Sequence, residues 1–229
     1  MLPGRWVEAA SAIQTRNPGG DTADWQQGYG FLLWRSRHGY RGDGAFGQYM
    51  VVLPEHDVVI AMFSDTDDMQ AIMDLMWRHL LPACRGGGSH EADEALAAQL
   101  NRLQQPTVAE RLPHVGTDLD DLVDASYVPA PLTETSHRRI RSARIELGRL
   151  VIEEEGGSFG LPLTAEWSTE GEVAVSAARR PDGGVVADVA FLNSPHRLEV
   201  VLGKGHVHAT WARMPLFGAG FNAELHTMV

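Results

Sequence analysis

The chain has 229 residues, of which 44% are hydrophobic and 21% charged, a composition typical of globular proteins. Its net charge of −11 and pI near 5.3 argue against a general affinity for nucleic acid or for anionic membranes. The only cysteine is Cys84, and the sequence has neither a signal-like apolar segment nor an apolar run of about 18 residues, so we expect a cytoplasmic protein without intrachain disulfides.

The first part of the chain predicts a short helix and three strands. The helix is expected over residues 2–12 and is followed by a loop, TRNPGGDTADWQQG. The predicted strands are YGFLLWRS, GQYMVVL and VVIAMFS, and RHGYRGDG and PEHD are the predicted turns between them. Turns this short predict antiparallel pairing. The third strand is apolar throughout, which predicts that both of its faces are covered.

A helix is predicted next, capped by Asp65 or Thr66 and stopped by Pro82. Apolar residues at steps of three and four predict one face that packs on the sheet: Met69, Ile72, Met73, Met76 and Leu80. From Arg85 the composition changes to that of a linker, RGGGSHEADEA, which leads into a second predicted helix from Glu91 to Leu103.

After Pro106 and Pro113 the pattern becomes that of β-strands. The candidate strands are RIRSARIELG, RLVIEEE, AEWST, EVAVSAARR, VVADVAFL, HRLEVVLG and HVHATWAR. Short strands at a spacing of roughly 8–12 residues with glycine turns predict a small antiparallel barrel or sandwich.

The expected fold class is therefore α+β: a partial antiparallel sheet with packed helices, followed by a mainly antiparallel β-barrel or sandwich. The expected domains are residues 1–85, a helical linker at 86–106 and a small β domain at 107–229.

Three segments carry a family resemblance: YGFLLWRS, then RGDGAFGQYMVVLPEHDVVIAMFSDT, then the amphipathic helix ending HLLPA. In this order they resemble the C-terminal part of the β-lactamase and penicillin-binding-protein superfamily, in particular the β-lactamase-related serine hydrolases. MLPGRWVEAAS resembles the segment before this sheet, and the later β region more weakly resembles a small barrel appended to many such hydrolases. The resemblance implies the last strands and closing helix of a five-stranded sheet. It also implies hydrolysis of a small ester, amide or β-lactam-like substrate through an acyl-serine.

The nucleophile of that family is missing from the sequence. The chemistry requires Ser-x-x-Lys on a helix, and no serine of the chain has a lysine three residues later. The single lysine is Lys204, in a late turn, and the Tyr-x-Asn or Ser-x-Asn motif is also absent. We therefore predict no catalytic residue in this chain, and no serine-acylating activity of the chain alone.

The third motif of the family, Lys-Thr-Gly or His-x-Gly, aligns near residues 38–42. Substrate-binding candidates are Arg41, Gly42, Asp43, Gly44 and, as a lesser candidate, His38. Arg41 could hold a substrate carboxylate or could be a solvated turn cation, and Asp43 could position Arg41 or cap the turn. The glycines permit a tight turn and close backbone approach, with or without a ligand.

No cofactor and no metal site are predicted. His206 and His208 share one strand face, but no third ligand stands at a convincing spacing, which favours surface histidines.

Three hypotheses remain for function. The chain could be the C-terminal portion of a serine hydrolase. It could instead be a complete non-catalytic ligand- or protein-binding module on the same scaffold, or half of an enzyme reassembled from two chains. Without a covering half, apolar strand faces would be exposed, so we expect a homo-oligomer that pairs through the exposed sheet.

Overall fold

The computed structural model describes residues 2–18, 23–84, 86–122, 124–131, 137, 139–216 and 220. The chain divides into an N-terminal unit, residues 1–103, and a C-terminal unit, residues 104–229. The fold is α+β, as the sequence predicted, with a four-stranded antiparallel sheet in the first unit and a nine-stranded, nearly closed barrel-like sheet in the second. Among the described helices, none has the length and apolarity needed to cross a bilayer.

The N-terminal unit contains a single sheet with strand order β1-β2-β3-β4. The strands are β1 (Trp34–Arg35), β2 (Tyr40–Gly44), β3 (Gln48–Leu53) and β4 (Val58–Met62). The helices are α1 (Gly4–Ser11), α2 (Met69–Leu75), α3 (Leu81–Ala83) and α4 (His90–Leu100), with a π-helical segment, Met76–Leu80, between α2 and α3.

Two local predictions in this unit are wrong. RHGYRGDG, predicted to be a turn, contains β2, which pairs along its whole length with β3. YGFLLWRS, predicted to be one strand, contributes only the two residues of β1. It is interrupted by a turn in which the Gly30 amide donates to the Leu33 carbonyl and Leu32 takes a left-handed φ of 61°. The glycine-rich composition of RHGYRGDG therefore predicted a turn where the chain forms a strand. The aromatic composition of YGFLLWRS predicted a strand where the chain forms a turn.

The sheet is covered on one face only. Tyr49, Val51 and Leu53 of β3 pack against Met73 and Trp77 of the helical layer. The other face is partly open: Gln48 and Val52 are half-buried there, whereas Met50 is 45% exposed, Val59 67% and Phe63, directly after β4, 90%. The prediction that VVIAMFS is covered on both faces is therefore wrong, because the structure places helices against only one of them.

The helix after β4 begins later than predicted. Asp68, rather than Asp65 or Thr66, is its N-cap, and the Asp68 carboxylate accepts from the Ala71 amide at 3.0 Å. The π-helical segment then changes the angular register. Trp77 and Leu81 are consequently buried against the sheet, while Leu80, which belongs to the predicted stripe, is 39% exposed.

The predicted second helix is shorter than expected, since α4 ends at Leu100. None of its residues is buried. Its predicted apolar positions, Leu96, Leu100 and Leu103, are all more than half exposed, at 54%, 53% and 68%.

The C-terminal unit contains one sheet with strand order β8-β7-β6-β5-β13-β12-β11-β10-β9. The strands are β5 (Ala125–Pro129), β6 (Ile140–Glu146), β7 (Arg149–Glu154), β8 (Gly157–Pro162), β9 (Ser168–Glu170), β10 (Val173–Arg179), β11 (Val185–Phe191), β12 (Arg197–Gly203) and β13 (His206–Trp211). Six of these strands fall within segments predicted from the sequence, and β9 overlaps the predicted segment AEWST at Ser168 and Thr169. β5 and β8 were not predicted because proline or glycine lowers the strand propensity of ASYVP and GSFGLP.

Alternation of the side chains fills the interior of this sheet. Leu198, Val200 and Leu202 of β12 point inward and are fully buried. β10 and β11 are buried on both faces because a short helix, α5 (Val108–Arg111), covers their outer face and places Val108 against Val186. The core of the unit is therefore a filled interior with a small second layer under α5.

A buried histidine, His137, lies against this core and can take up a proton. The His137 ring stacks on Trp211 with centroids 5.5 Å apart, and its Nε2 lies 3.6 Å from a Glu154 carboxylate oxygen. Burial lowers the pKa of His137, although the Glu154 charge opposes that shift.

This lowered pKa predicts acid sensitivity of the C-terminal unit. Below about pH 6.5, the unfolded chain binds a proton at His137 that the folded unit resists, so the free energy of unfolding should fall as pH falls. Urea unfolding followed through the amide NMR signals of β12 and β13 should show this dependence. His137→Gln should reduce it, whereas His90→Gln, a change at a side chain 88% exposed, should leave it intact. Equal pH dependence in wild type and His137→Gln would contradict the assignment.

Candidate functional site

The predicted substrate-binding residues lie on β2 and in the turn before it. Alternation along β2 sends Arg41 and Asp43 to the helix-covered face, where the Arg41 Nε donates to the Asp43 carboxylate at 2.9 Å. Gly42 and Gly44 fall on the open face, because neighbouring residues of a strand point to opposite sides. The structure thus joins Arg41 to Asp43 and presents the two glycines away from them.

Arg41 is fully buried. Its Nη1 donates to the Ser36 hydroxyl at 2.9 Å and to the carbonyls of Arg35 and Asp24 at 3.0 and 3.3 Å. Its guanidinium carbon lies 4.6 Å from the ring centre of Trp25 and 5.6 Å from that of Trp34. Within the described part of the chain its Nη2 has no hydrogen-bond partner. The cation is held by a charge pair, three oxygen acceptors and two aromatic faces. Its role toward a substrate carboxylate stays a prediction.

The Asp43 carboxyl is nearly buried beside this cation, with 7% of its side chain exposed. Burial raises the pKa of Asp43, and the charge and hydrogen bond of Arg41 only partly offset that increase. The neighbouring Tyr49 lies opposite Asp43 on β3, and burial raises the pKa of its phenol, which donates to the Met69 carbonyl at 2.9 Å. Asp43 therefore positions Arg41, which is one of the two roles that the sequence left open.

His38 stands apart from this pair, in the turn that leads into β2. Its ring meets Trp77 edge-on with centroids 5.1 Å apart. It also lines a cavity of about 240 Å³ together with Arg35, Arg37 and His56. The cavity is polar and small, and His38 reaches it from the end of β2 opposite to Gly44.

The turn between β2 and β3 requires glycine at one position. Gly47 has a φ of 85°, and a Cβ there would lie 2.3 Å from the Ser64 hydroxyl oxygen. That hydroxyl is within hydrogen-bond distance of the Phe46 and Gly47 carbonyls, at 2.9 and 2.7 Å. Ser64 therefore holds the tight turn closed, which gives this serine a structural contact.

Sequence reasoning missed the residue at the centre of the site, Asp24, which lies in a predicted loop. Its carboxylate is fully buried. It accepts from the Arg37 amide at 2.9 Å and from the Arg37 guanidinium at 2.9 and 3.0 Å. Gln70 Nε2 and Trp77 Nε1 each donate to it at 3.0 Å. Burial raises the pKa of Asp24, but these hydrogen bonds together outweigh burial and hold the pKa below its usual value.

The described residues contain no group of three or more His, Cys, Asp or Glu side chains arranged to hold a metal ion. Comparison of the chain with protein-family models, with curated protein sequences and with solved structures found no match. The family resemblance therefore rests on the sequence segments alone, and the structure supplies the geometry against which it can be tested.

We expect substitution of the buried Asp24 to cause a large loss of stability in the N-terminal unit. Asp24→Asn keeps the size of the side chain but removes the charge that Arg37 and the Trp77 indole face, so unfolding of the N-terminal unit should become easier by about 3 kcal/mol. Hydrogen exchange of the β3 amides would measure this loss. Asp74→Asn is the matched control, since Asp74 also pairs with Arg37 but has 47% of its side chain exposed. We expect a much smaller loss there, and equal losses for the two variants would refute the central role of Asp24.

Proposed function

We propose that the N-terminal unit is the C-terminal part of a β-lactamase-related serine hydrolase domain. The parent protein hydrolyses a small ester or amide through an acyl-serine, and the nucleophile belongs to a part of the domain outside this chain. The observation that carries the proposal is a sheet with helices on one face and an open apolar face on the other.

The strand order supports the proposal. β2, β3 and β4 form consecutive antiparallel hairpins, and the helix after β4 packs back on them, which is the order that the resemblance implies. In the described part of the chain, β4 pairs with β3 alone, so its outer edge is free for another strand. The resemblance implies a five-stranded sheet, and a strand from the missing part would fit that edge.

The open face supports it as well. Met50 is 45% exposed, Val59 67% and Phe63 90%, although a soluble domain normally buries such residues. Burying them under the remaining part of the hydrolase domain would use the hydrophobic effect to join the two parts. Gly42 and Gly44 lie on this same face, where the absence of side chains lets a substrate or a backbone approach β2 closely.

Within this proposal, Arg41 acts from behind β2. Asp43 pairs with its charge and the two tryptophans contact its guanidinium, so Arg41 would support β2 from the covered face rather than act as a mobile contact to the substrate. His38 is the more accessible candidate, since it lines a surface cavity.

We also propose a cytoplasmic location, on the basis of the single free thiol, Cys84.

The test has two steps. The source DNA upstream of the Met1 codon should continue in frame and encode a Ser-x-x-Lys on a helical pattern. The full-length product should then form a stoichiometric adduct with a fluorophosphonate probe, detected by intact mass, and a Ser→Ala change at that motif should abolish it. This chain alone should form no adduct. A stop codon directly upstream, or an adduct on a serine of this chain, would overturn the proposal.

The open face also favours a second candidate, a non-catalytic binding module in which a second copy covers the sheet. In that case the chain should be a dimer or larger in multi-angle light scattering, and Phe63→Ser should shift it toward the monomer. Leu147→Asn is the matched control, because Leu147 is an apolar residue 88% exposed in a turn of the C-terminal unit. A monomer at all concentrations, or an equal effect of the two variants, would remove this candidate.

A further inference from the structure

The C-terminal unit carries a cavity of about 650 Å³ on the outer surface of its sheet. The cavity lies where two hairpin turns meet, the β10–β11 turn with Arg180 and Asp182 and the β12–β13 turn with Lys204. The turns pack closely, since a Cβ on Gly184 would lie 2.4 Å from the Leu202 carbonyl oxygen. This close packing therefore holds in place the backbone that carries the side chains at the rim of the cavity.

One cationic side chain at the cavity, that of Lys204, is available for a ligand. Lys204, the only lysine of the chain, has a left-handed φ of 53°, and no hydrogen bond or ion pair joins its ammonium group to the described residues. His206 follows it, and the His206 Nδ1 contacts the Lys204 carbonyl at 3.0 Å. In the imidazolium form, Nδ1–H donates to that carbonyl and orients the ring, and Nε2–H is left to donate to an anion.

The carboxylates at the cavity already have partners. Asp182 lies 3.2 Å from the Arg180 guanidinium and also accepts from the Gly184 amide at 3.0 Å. Glu199 lies 3.7 Å from the guanidinium of Arg111 on α5, which it shares with the buried Asp188 at 3.0 Å. Each acidic side chain at the cavity thus has an arginine partner, whole or shared, whereas Lys204 has no carboxylate partner among the described residues. An anion is the ligand that complements this balance.

An apolar extension adjoins the charged cavity. A second cavity of about 350 Å³ shares Arg180, Glu199 and Val201 with the first. Its remaining lining is apolar apart from the backbone: Leu112, Pro113, Val115, Pro181 and Val186. The two cavities therefore form one groove that is cationic at the Lys204 end and apolar at the α5 end.

We propose that this groove binds a small amphiphilic anion, a carboxylate or phosphate head group on a short aliphatic chain. The head group pairs with Lys204 and His206, and the chain lies along Val201 toward Leu112. Charge complementarity orients the ligand, and burial of its methylene groups supplies most of the affinity. The proposal concerns only the C-terminal unit and does not depend on the hydrolase proposal.

Calorimetric titration of the whole chain with octanoate tests the proposal. We expect one site per chain, and across hexanoate, octanoate and decanoate we expect about fourfold tighter binding for each methylene group that is buried. Octanol, which lacks the charge, should bind about tenfold more weakly. Octyl phosphate, compared with octanoate, distinguishes the two head groups. No binding of either anion at millimolar concentration, or equal binding of octanol, would overturn the proposal.

Variants locate the site. Lys204→Asn keeps a residue that tolerates left-handed φ and should weaken octanoate binding about tenfold. Arg102→Gln removes the same charge from an exposed position in the N-terminal unit and should leave binding unchanged. Octanoate should also shift the imidazole NMR signals of His206 and His208. Equal effects of the two variants, or unshifted histidine signals during binding, would place the ligand elsewhere and refute the assignment.

Discussion

The N-terminal unit depends on one buried carboxylate. In the described part of the segment between α1 and β2, main-chain hydrogen bonds such as those between Thr15 and Tyr29 tie the loop mostly to itself. Asp24 connects it to the helical layer, since it accepts from the Arg37 backbone and side chain and from the side chains of Gln70 and Trp77. An unpaired buried charge would be costly, but each acceptor position here has a donor, and the carboxylate therefore orders the loop, the turn and the helix together. Its lowered pKa means that this contribution is present above the ordinary carboxyl pKa and is lost only in stronger acid.

The same network explains why the charge at position 41 is interior. Arg41 would be expensive to bury alone, yet Asp43, Ser36 and the Asp24 carbonyl satisfy most of its donors, and Trp25 and Trp34 supply faces for its plane. A lysine could not make the same set of contacts, because its single nitrogen lacks the planar fork of the guanidinium. Gly42 and Gly44 consequently lie on the open face of β2. The charged residues of this short strand point to one side of the sheet, and its glycines lie on the other.

These features set the limit of what the sequence could predict. β12 and β13 alternate between buried and more exposed side chains, and β10 and β11 are largely apolar runs between turn residues, so the positions of all four could be predicted from neighbouring residues. The π-helical segment, which turns Trp77 and Leu81 toward the sheet, follows from packing and leaves no periodic signal. Asp24 meets Gln70 and Trp77 across separations of 46 and 53 residues, and no local pattern in TADWQQG records those contacts. β2 was missed for the opposite reason: its glycines signal a turn locally, but pairing with both β1 and β3 overrides that propensity.

The two units bury their apolar side chains to different extents, and this difference bears on function. The C-terminal unit fills its interior and covers part of its outer surface with α5, so its remaining groove is a local feature of a finished core. The N-terminal unit leaves several apolar side chains of one sheet face, and the β4 edge, without a cover among the described residues. Exposed apolar side chains beside a free strand edge favour association, which is why we propose a partner for that surface. The proposed hydrolase half and a second copy would both cover it. Only the first also makes use of a glycine-lined strand placed directly beside the apolar residues that such a half would bury.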